Sequence, residues 1–414
     1  MQKKTEIKQL TENFVAIALT QIISYVIPLI SLPYLARVLG AEKFGLVYWA
    51  QSLITYFCII TDFGFGLSAV KEISIHRNDH DKINQIFSSI LFVKLCLIFI
   101  CFIILTVLII FIPKFNNEML LFYLTFFMVI GNAIYPMWFF QGIEHMKYIT
   151  FLNILSKSIF LGLIFIFIHS PKDYNIVAFL NSMGFLVSGL IGICIACRKF
   201  KLKIIIPSKE NVLYQFKYSS EFFMSRIAVA GFTNTNAFVL GLIANPISVA
   251  YYTAAEKIYN SMLSLSYPIT QTLYPYISKF KDIRRYKKIF YPSIIFLICM
   301  CIFMFFCSKI FIQIFYGLEL LPAYKILRFF CFTVFFTFVS SLVGYPLLAA
   351  MGYSKATNFS IVLGSIVHII GLSILYAINH LNIYTIAFMT VVAAFVSMFY
   401  KIHAISKYSL WNEE

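Results

Sequence analysis

The chain predicts an all-α integral membrane protein of twelve transmembrane helices in two six-helix lobes, and three observations predict it. Of its 414 residues, 61% are apolar and only 12% charged, against 45–50% and about 25% in ordinary globular domains. Apolar runs long enough to cross a bilayer recur along the whole chain. The second half repeats the layout of the first. A composition this apolar cannot clothe a soluble surface, and it excludes disordered, collagen-like and disulfide-scaffold classes. Twelve spans leave about 34 residues each, one crossing of ~20 residues plus a short loop, with no room for a separate soluble domain.

Charge and turn residues bound each run. Span 14–37 follows Lys3, Lys4 and Lys8 and stops before Gly40. It reads as a retained first helix, because it lacks a small-residue cleavage site. Spans 46–69 and 84–112 flank the basic segment from Lys71 to Lys82, and Pro113 closes the second of them. Spans 118–141, 149–169 and 176–197 are separated by Lys147 and by Pro171-Lys172. Span 218–243 begins after Lys217 and ends before Asn245-Pro246. Spans 249–277 and 289–315 enclose a cluster from Lys279 to Lys288. Spans 321–350, 356–377 and 383–401 complete the set, with Lys355 between the first two.

An even count puts both termini on one side. The termini and even-numbered loops carry 22 Lys and Arg, whereas the odd-numbered loops and their span ends carry seven. Basic residues concentrate on the cytoplasmic side, so both termini are expected there. The net charge of +16 is spread over these loops without a basic helix or an aromatic-basic sheet motif. Topology and anionic lipid headgroups therefore account for it, and no nucleic acid is expected.

Signs of catalysis are missing. There is no GxxxxGKS, HExxH or GxSxG motif, and Gly64-Phe65-Gly66 is a lone glycine pair. The outside loops are about ten residues or fewer, too short to hold a sugar substrate for a polymerase. All nine Cys fall inside spans and read as small core residues, including Cys194 and Cys197 despite their CxxC spacing. No metal or cofactor is expected. His368 alone of the seven His is mid-span, as a hydrogen-bonded packing residue or a proton-linked site. Transport is the class that remains.

What the spans carry inside supports transport. Asp62, Lys94, Lys157, Glu221, Arg226, Glu256 and Lys257 lie away from span ends, at roughly 2.5–3.5 kcal/mol each if they faced lipid. Pairing of four cations with three acids is the plain alternative. On span 249–277, Thr253, Lys257, Asn260, Ser261, Ser264, Pro268 and Gln271 recur at steps of three and four, giving one narrow polar face. Gln21 and Ser24 on the first span, Asp62 on the second, and Asn234 and Asn236 on the seventh extend such faces. Sliding the chain by 204 residues lays Leu39 to Ala50 over Ile243 to Ala254, with Tyr48/Tyr252 and Ala50/Ala254 in register. An offset of six spans preserves orientation, so the halves read as parallel repeats. The lobes are then 1–197 and 218–414, with 198–217 as a cytoplasmic linker.

Ile30 to Gly40 followed by Phe44-Gly45, then Asp62-Phe63-Gly64-Phe65-Gly66-Leu67-Ser68-Ala69-Val70-Lys71-Glu72, resemble the N-terminal signature of the O-antigen and related polysaccharide flippases (Wzx type). Tyr251 to Tyr259 and Ile326-Leu327-Arg328 also look like that family. The resemblance implies a multidrug-extruder-like (MATE-like) architecture around a central cavity. It implies a substrate too, an oligosaccharide on undecaprenyl pyrophosphate, moved to the periplasmic leaflet of the bacterial inner membrane. On that reading Arg226 and Lys257, with Lys157 and Arg37, would hold the pyrophosphate, and the polar faces would meet sugar hydroxyls. Glu256, Glu221 and Asp62 are the candidates for coupling to a proton or sodium gradient. Membrane lipids, a glycan polymerase and glycosyltransferases of the same pathway are the expected partners. A multidrug exporter of the same fold and a membrane-embedded glycan polymerase stay open as alternatives. The charge census makes one prediction: cytoplasmic reporters fused near residues 205 and 283, and periplasmic reporters fused near 173 and 318, will be active. A periplasmic signal at 205 would overturn the orientation.

Overall fold

Short polar side chains start several of the helices by accepting the first free backbone N–H groups. Asp79 accepts from Lys82 N at 3.0 Å, Asn245 from Ser248 N at 2.9 Å, Asp282 from Arg285 N at 2.8 Å, and Asn382 from Thr385 N at 3.1 Å. The computed structural model describes residues 2–233 and 235–411, without the side chains of 2–19, 21–23, 25–26, 224–226 and 228–233. Among the described residues there is no strand. The helices are α1 (Gln2–Asp62), α2 (Phe65–Ile75), α3 (His80–Phe111), α4 (Pro113–Asn116), α5 (Met119–Ile134), α6 (Met137–Gly142), α7 (Met146–Phe167) and α8 (Tyr174–Lys199). They continue as α9 (Lys209–Thr233), α10 (Thr235–Ile243), α11 (Pro246–Ser264), α12 (Ser266–Phe280), α13 (Ile283–Tyr316), α14 (Ala323–Val343), α15 (Ser354–Ala377) and α16 (Ile383–Lys407).

Nine helical stretches among the described residues are long and apolar enough to cross a membrane. One of them, Ile27–Ile75, holds two arms joined at Gly40, whose φ of 71° and ψ of 169° interrupt α1. The offset of 204 residues lays Gly40 over Ala244, which lies in the gap between α10 and α11. The protein is an all-α membrane protein, and its lipid-directed side chains are large and apolar, as at Phe99 and Phe111 on α3 and Phe306 and Ile314 on α13.

Several spans drawn as single helices are broken. The second ends at Asp62, passes through Phe63 (φ 44°) and Gly64 (φ 79°), and resumes as α2. The fourth breaks before Pro136, which lacks the N–H that would continue α5. The eighth breaks at Leu265. There Pro268 cannot donate to the Ser264 carbonyl and its ring crowds it, and Leu265 N closes a tighter turn onto Met262 O at 3.3 Å. The tenth ends in a π-helical turn, Gly344–Ala349. The eighth span's polar face is therefore carried by two helices rather than one straight rod.

The chain divides into two compact units, Met1–Ala230 and Gly231–Glu414. In the first, α5 packs along α8 and α1 against α7, over a core that includes Phe65, Phe87, Trp138 and Phe140. In the second, α16 packs against α14 and α15, with Tyr286, Leu347 and Leu348 in one of its cores. The non-helical part of the predicted linker is confined to residues 200–208. It is fastened to α3, since Lys203 N donates to Asn84 Oδ1 and Ile205 N to Ser88 Oγ, both at 2.9 Å. Nearby, the Arg77 guanidinium donates to Glu144 at 2.8 Å and holds that carboxyl below the usual carboxylate range.

The early part of α9 docks onto the break at Gly64. Ser68 and Ser219 share a hydrogen bond at 2.7 Å, Gln215 Nε2 donates to Glu72 at 2.7 Å, and Phe63 stacks on Phe216 and Phe223. A Cβ on Gly64 would meet Ser219 O and Phe223 N at 2.9 Å, in a left-handed conformation that disfavours side chains. Gly64→Ala is therefore expected to cost about 2 kcal/mol or more in stability, read as a lower melting temperature of the detergent-purified protein. An unchanged melting temperature would contradict this docking.

Candidate functional site

Two clusters of polar side chains stand out inside the apolar frame of the second unit. The first is built on Asn236 of α10, which is 2% exposed. Its Nδ2 donates to Tyr252 Oη at 2.7 Å and to Thr390 Oγ1 at 3.1 Å, while its Oδ1 lies 2.8 Å from His368 Nε2. Because the amide donates on one side, its oxygen accepts from His368, which fixes a proton on Nε2. The cluster ties α10, α11, α15 and α16 together. It supports the packing reading of His368. Glu256, one turn on from Tyr252, lies within electrostatic reach of Tyr252, Tyr259 and Lys257.

The second is a cavity of about 550 Å³, within the size range of small-molecule sites. Its wall comprises Thr270, Gln271 and Tyr274 of α12, Thr337, Ser340 and Ser341 of α14, Gly344 and Tyr345 of the π-helical turn, Ile361 and Gly364 of α15, and Ala394, Ser397 and Lys401 of α16. Hydroxyl and amide groups dominate its polar part. Lys401 is 5% exposed, and its Nζ donates to Ser340 Oγ at 2.8 Å and to Ser340 O at 3.1 Å. Among the described residues no carboxylate lines the cavity.

The sequence census counts Lys401 among the cytoplasmic loop charges, and the structure buries it. Proximity to a helix end imitates a snorkelling lysine. The pattern that reveals it is Thr390, Ala393, Ala394, Ser397, Lys401 and Ala404, spaced by one, three or four residues along the buried face of α16.

Of the residues singled out from sequence, Gln271 reaches this cavity and Asn236 the neighbouring cluster. Lys257 and Glu256 are half-buried on α11, and Asn260 is exposed. Ser264 turns its hydroxyl back to Ser261 O at 2.6 Å. In the first unit, Lys157 and Ser24 are half-buried, and Arg37 and Glu221 are exposed. Asp62 Oδ1 lies 3.8 Å from Lys94 Nζ, which is almost wholly buried and sits over the Phe65 ring. The side chains of Gln21, Arg226 and Asn234 fall outside the described residues. All nine cysteines are free, and no metal-binding cluster occurs among the described residues.

A bundle of membrane-crossing helices with a partly polar cavity in its second unit has the build of a membrane transporter, the class in which its relatives are named. Residues 10–281 match the family described as polysaccharide biosynthesis protein. The chain belongs to that family. It is 34% identical over 278 residues to a protein named an O-antigen transporter in Escherichia coli (strain K12), covering 67% of each chain. With one so named in Shigella dysenteriae it shares 26% identity over 362 residues, covering 87% of this chain and 91% of the relative. Its fold is that of the lipid II flippase MurJ in an inward closed conformation, at a TM-score of 0.74 and 14% identity, covering 96% and 87% of the two chains. An inward-facing multidrug resistance transporter of the MATE family also superposes, at a TM-score of 0.68 and 14% identity, over 97% and 100%.

The Asp62–Lys94 pair is tested by a double-mutant cycle. Asp62→Ala strands a buried cation and is expected to lower stability by roughly 1–3 kcal/mol, while adding Lys94→Met should recover part of that loss. Strict additivity of the two losses in melting temperature would show that the pair does not interact.

Proposed function

We propose that this protein flips a saccharide carried on undecaprenyl pyrophosphate from the cytoplasmic to the periplasmic leaflet of a bacterial inner membrane. It works by alternating access, with both termini cytoplasmic, and draws on a proton or sodium gradient. The observation that carries this reading is the hydroxyl- and amide-walled cavity in an apolar bundle, in a chain of this family. Sugar hydroxyls both donate and accept, so Ser, Thr, Gln and Tyr side chains suit them. A pyrophosphate cannot enter hydrocarbon unpaired, and Lys257, Lys157, Arg37 and Arg226 are the cations put forward to accompany it. Glu256, Glu221 and Asp62 are the acids put forward for coupling. Glycosyltransferases would act before the flipping step and a glycan polymerase after it.

In a strain deleted for the chromosomal gene, the wild-type chain should restore surface glycan. Lys257→Ala and Arg226→Ala should each reduce display by about tenfold or more at normal membrane abundance, and Lys257→Arg and Arg226→Lys should recover part of it. Normal display from both alanine variants at normal abundance would remove these cations from the mechanism. Drug resistance without any glycan phenotype would replace the flippase reading with drug export.

A further inference from the structure

Among the described residues the buried ammonium of Lys401 meets no counter-charge in the cavity it lines. It donates to the two oxygens of Ser340, which leaves one of three N–H donors directed to the cavity. Among the described residues no carboxylate lies within ion-pair distance of it. Gly344 makes the space: a Cβ there would stand 3.2 Å from the ammonium. An uncompensated cation is an expensive ornament in a membrane protein, and such groups mark pathways for ions or substrates. A packing role needs no cavity beside it. A cavity for neutral sugars needs no lysine.

We infer that Lys401 is a phosphoryl-anion site within the second unit, holding the charged group of a ligand whose hydroxyl-bearing part meets Gln271, Ser341 and Ser397. The inference rests on the proposed function for its biological ligand, and adds a cation on α16 that is separate from Lys257. The anion it recognises is shared by two sources, the pyrophosphate of a lipid-linked saccharide and the headgroup of an anionic phospholipid. Lys401 lies near the C-terminal end of its helix, which in the proposed orientation faces the leaflet where loading takes place.

The test uses the full-length protein in phosphatidylcholine nanodiscs, titrated with inorganic pyrophosphate and with farnesyl pyrophosphate, with thermal stabilisation giving the apparent Kd. Lys401→Met should weaken binding of both probes on the order of tenfold or more, and Lys401→Arg should retain most of it. Without ligand, Lys401→Met should melt at or above the wild-type temperature, because it removes a buried charge with no counter-charge among the described residues. Unchanged affinity in Lys401→Met would overturn the site. A lower ligand-free melting temperature in Lys401→Met would overturn it too, by showing a structural peg. Replacing part of the phosphatidylcholine with phosphatidylglycerol separates the sources: Lys401-dependent competition assigns the site to headgroups, and its absence assigns it to the lipid-linked saccharide. Because binding is measured on purified protein, it stands or falls independently of whether the chain restores surface glycan.

Discussion

Hydrocarbon offers no hydrogen bonds, so every backbone group released by a helix break must find its partner within the protein. That constraint decides where this chain can afford irregularity. Breaks at Gly64, Pro136, Leu265 and Gly344 lie on segments packed against other helices. At Leu265 the released groups are met locally: Ser264 and Ser266 hydroxyls donate to the carbonyls of Ser261 and Leu263, and Leu265 N turns to Met262. At Gly64 the early part of α9, distant in sequence, covers the gap. The polar cavity then follows from the same rule, since the π-helical turn at Gly344 widens α14 beside Lys401 and lets side chains rather than lipid meet the interruption.

The polar interior of the second unit is divided by chemistry. Around Asn236 one amide bonds Tyr252, Thr390 and His368, and such networks lock helices in register. Around Lys401 the ammonium has more donors than the two Ser340 oxygens it meets, beside a cavity lined by hydroxyl-bearing side chains. The cross-linked cluster and the cavity share α15 and α16, so the same two helices both hold the unit together and line the space that can receive a ligand.

Much of this was legible in the sequence. Hydropathy and flanking charge located the nine stretches that are long and apolar enough to cross a membrane among the described residues, while predicted spans 218–243 and 249–277 are not among them, and the capping residues Asp79, Asn245, Asp282 and Asn382 stand where helices begin. Helix interruptions were harder to read, because a window of about twenty apolar residues is blind to two residues such as Phe63-Gly64 or to the single Leu265. The sequence marked Asn236 as polar and His368 as a packing or proton-linked residue. Their partnership spans 132 positions, and no periodicity connects them. Lys401 was hidden for a different reason. Its place near a helix end made it look like a topological charge, and only the small-residue face that it shares with Ala394 and Ser397 argues otherwise.

The fastening of residues 200–208 and the docking of α9 have a consequence for dissecting the molecule. The seam between the repeats that the sequence predicts lies near residue 205, but the surface that follows it belongs to the first unit through Glu72, Ser68 and Phe63. A gene split at that seam would give two polypeptides, the second beginning with a helix already shaped to find the first. The chain thus carries its own reassembly tag, and fragment complementation could report on each half without any added fusion partner.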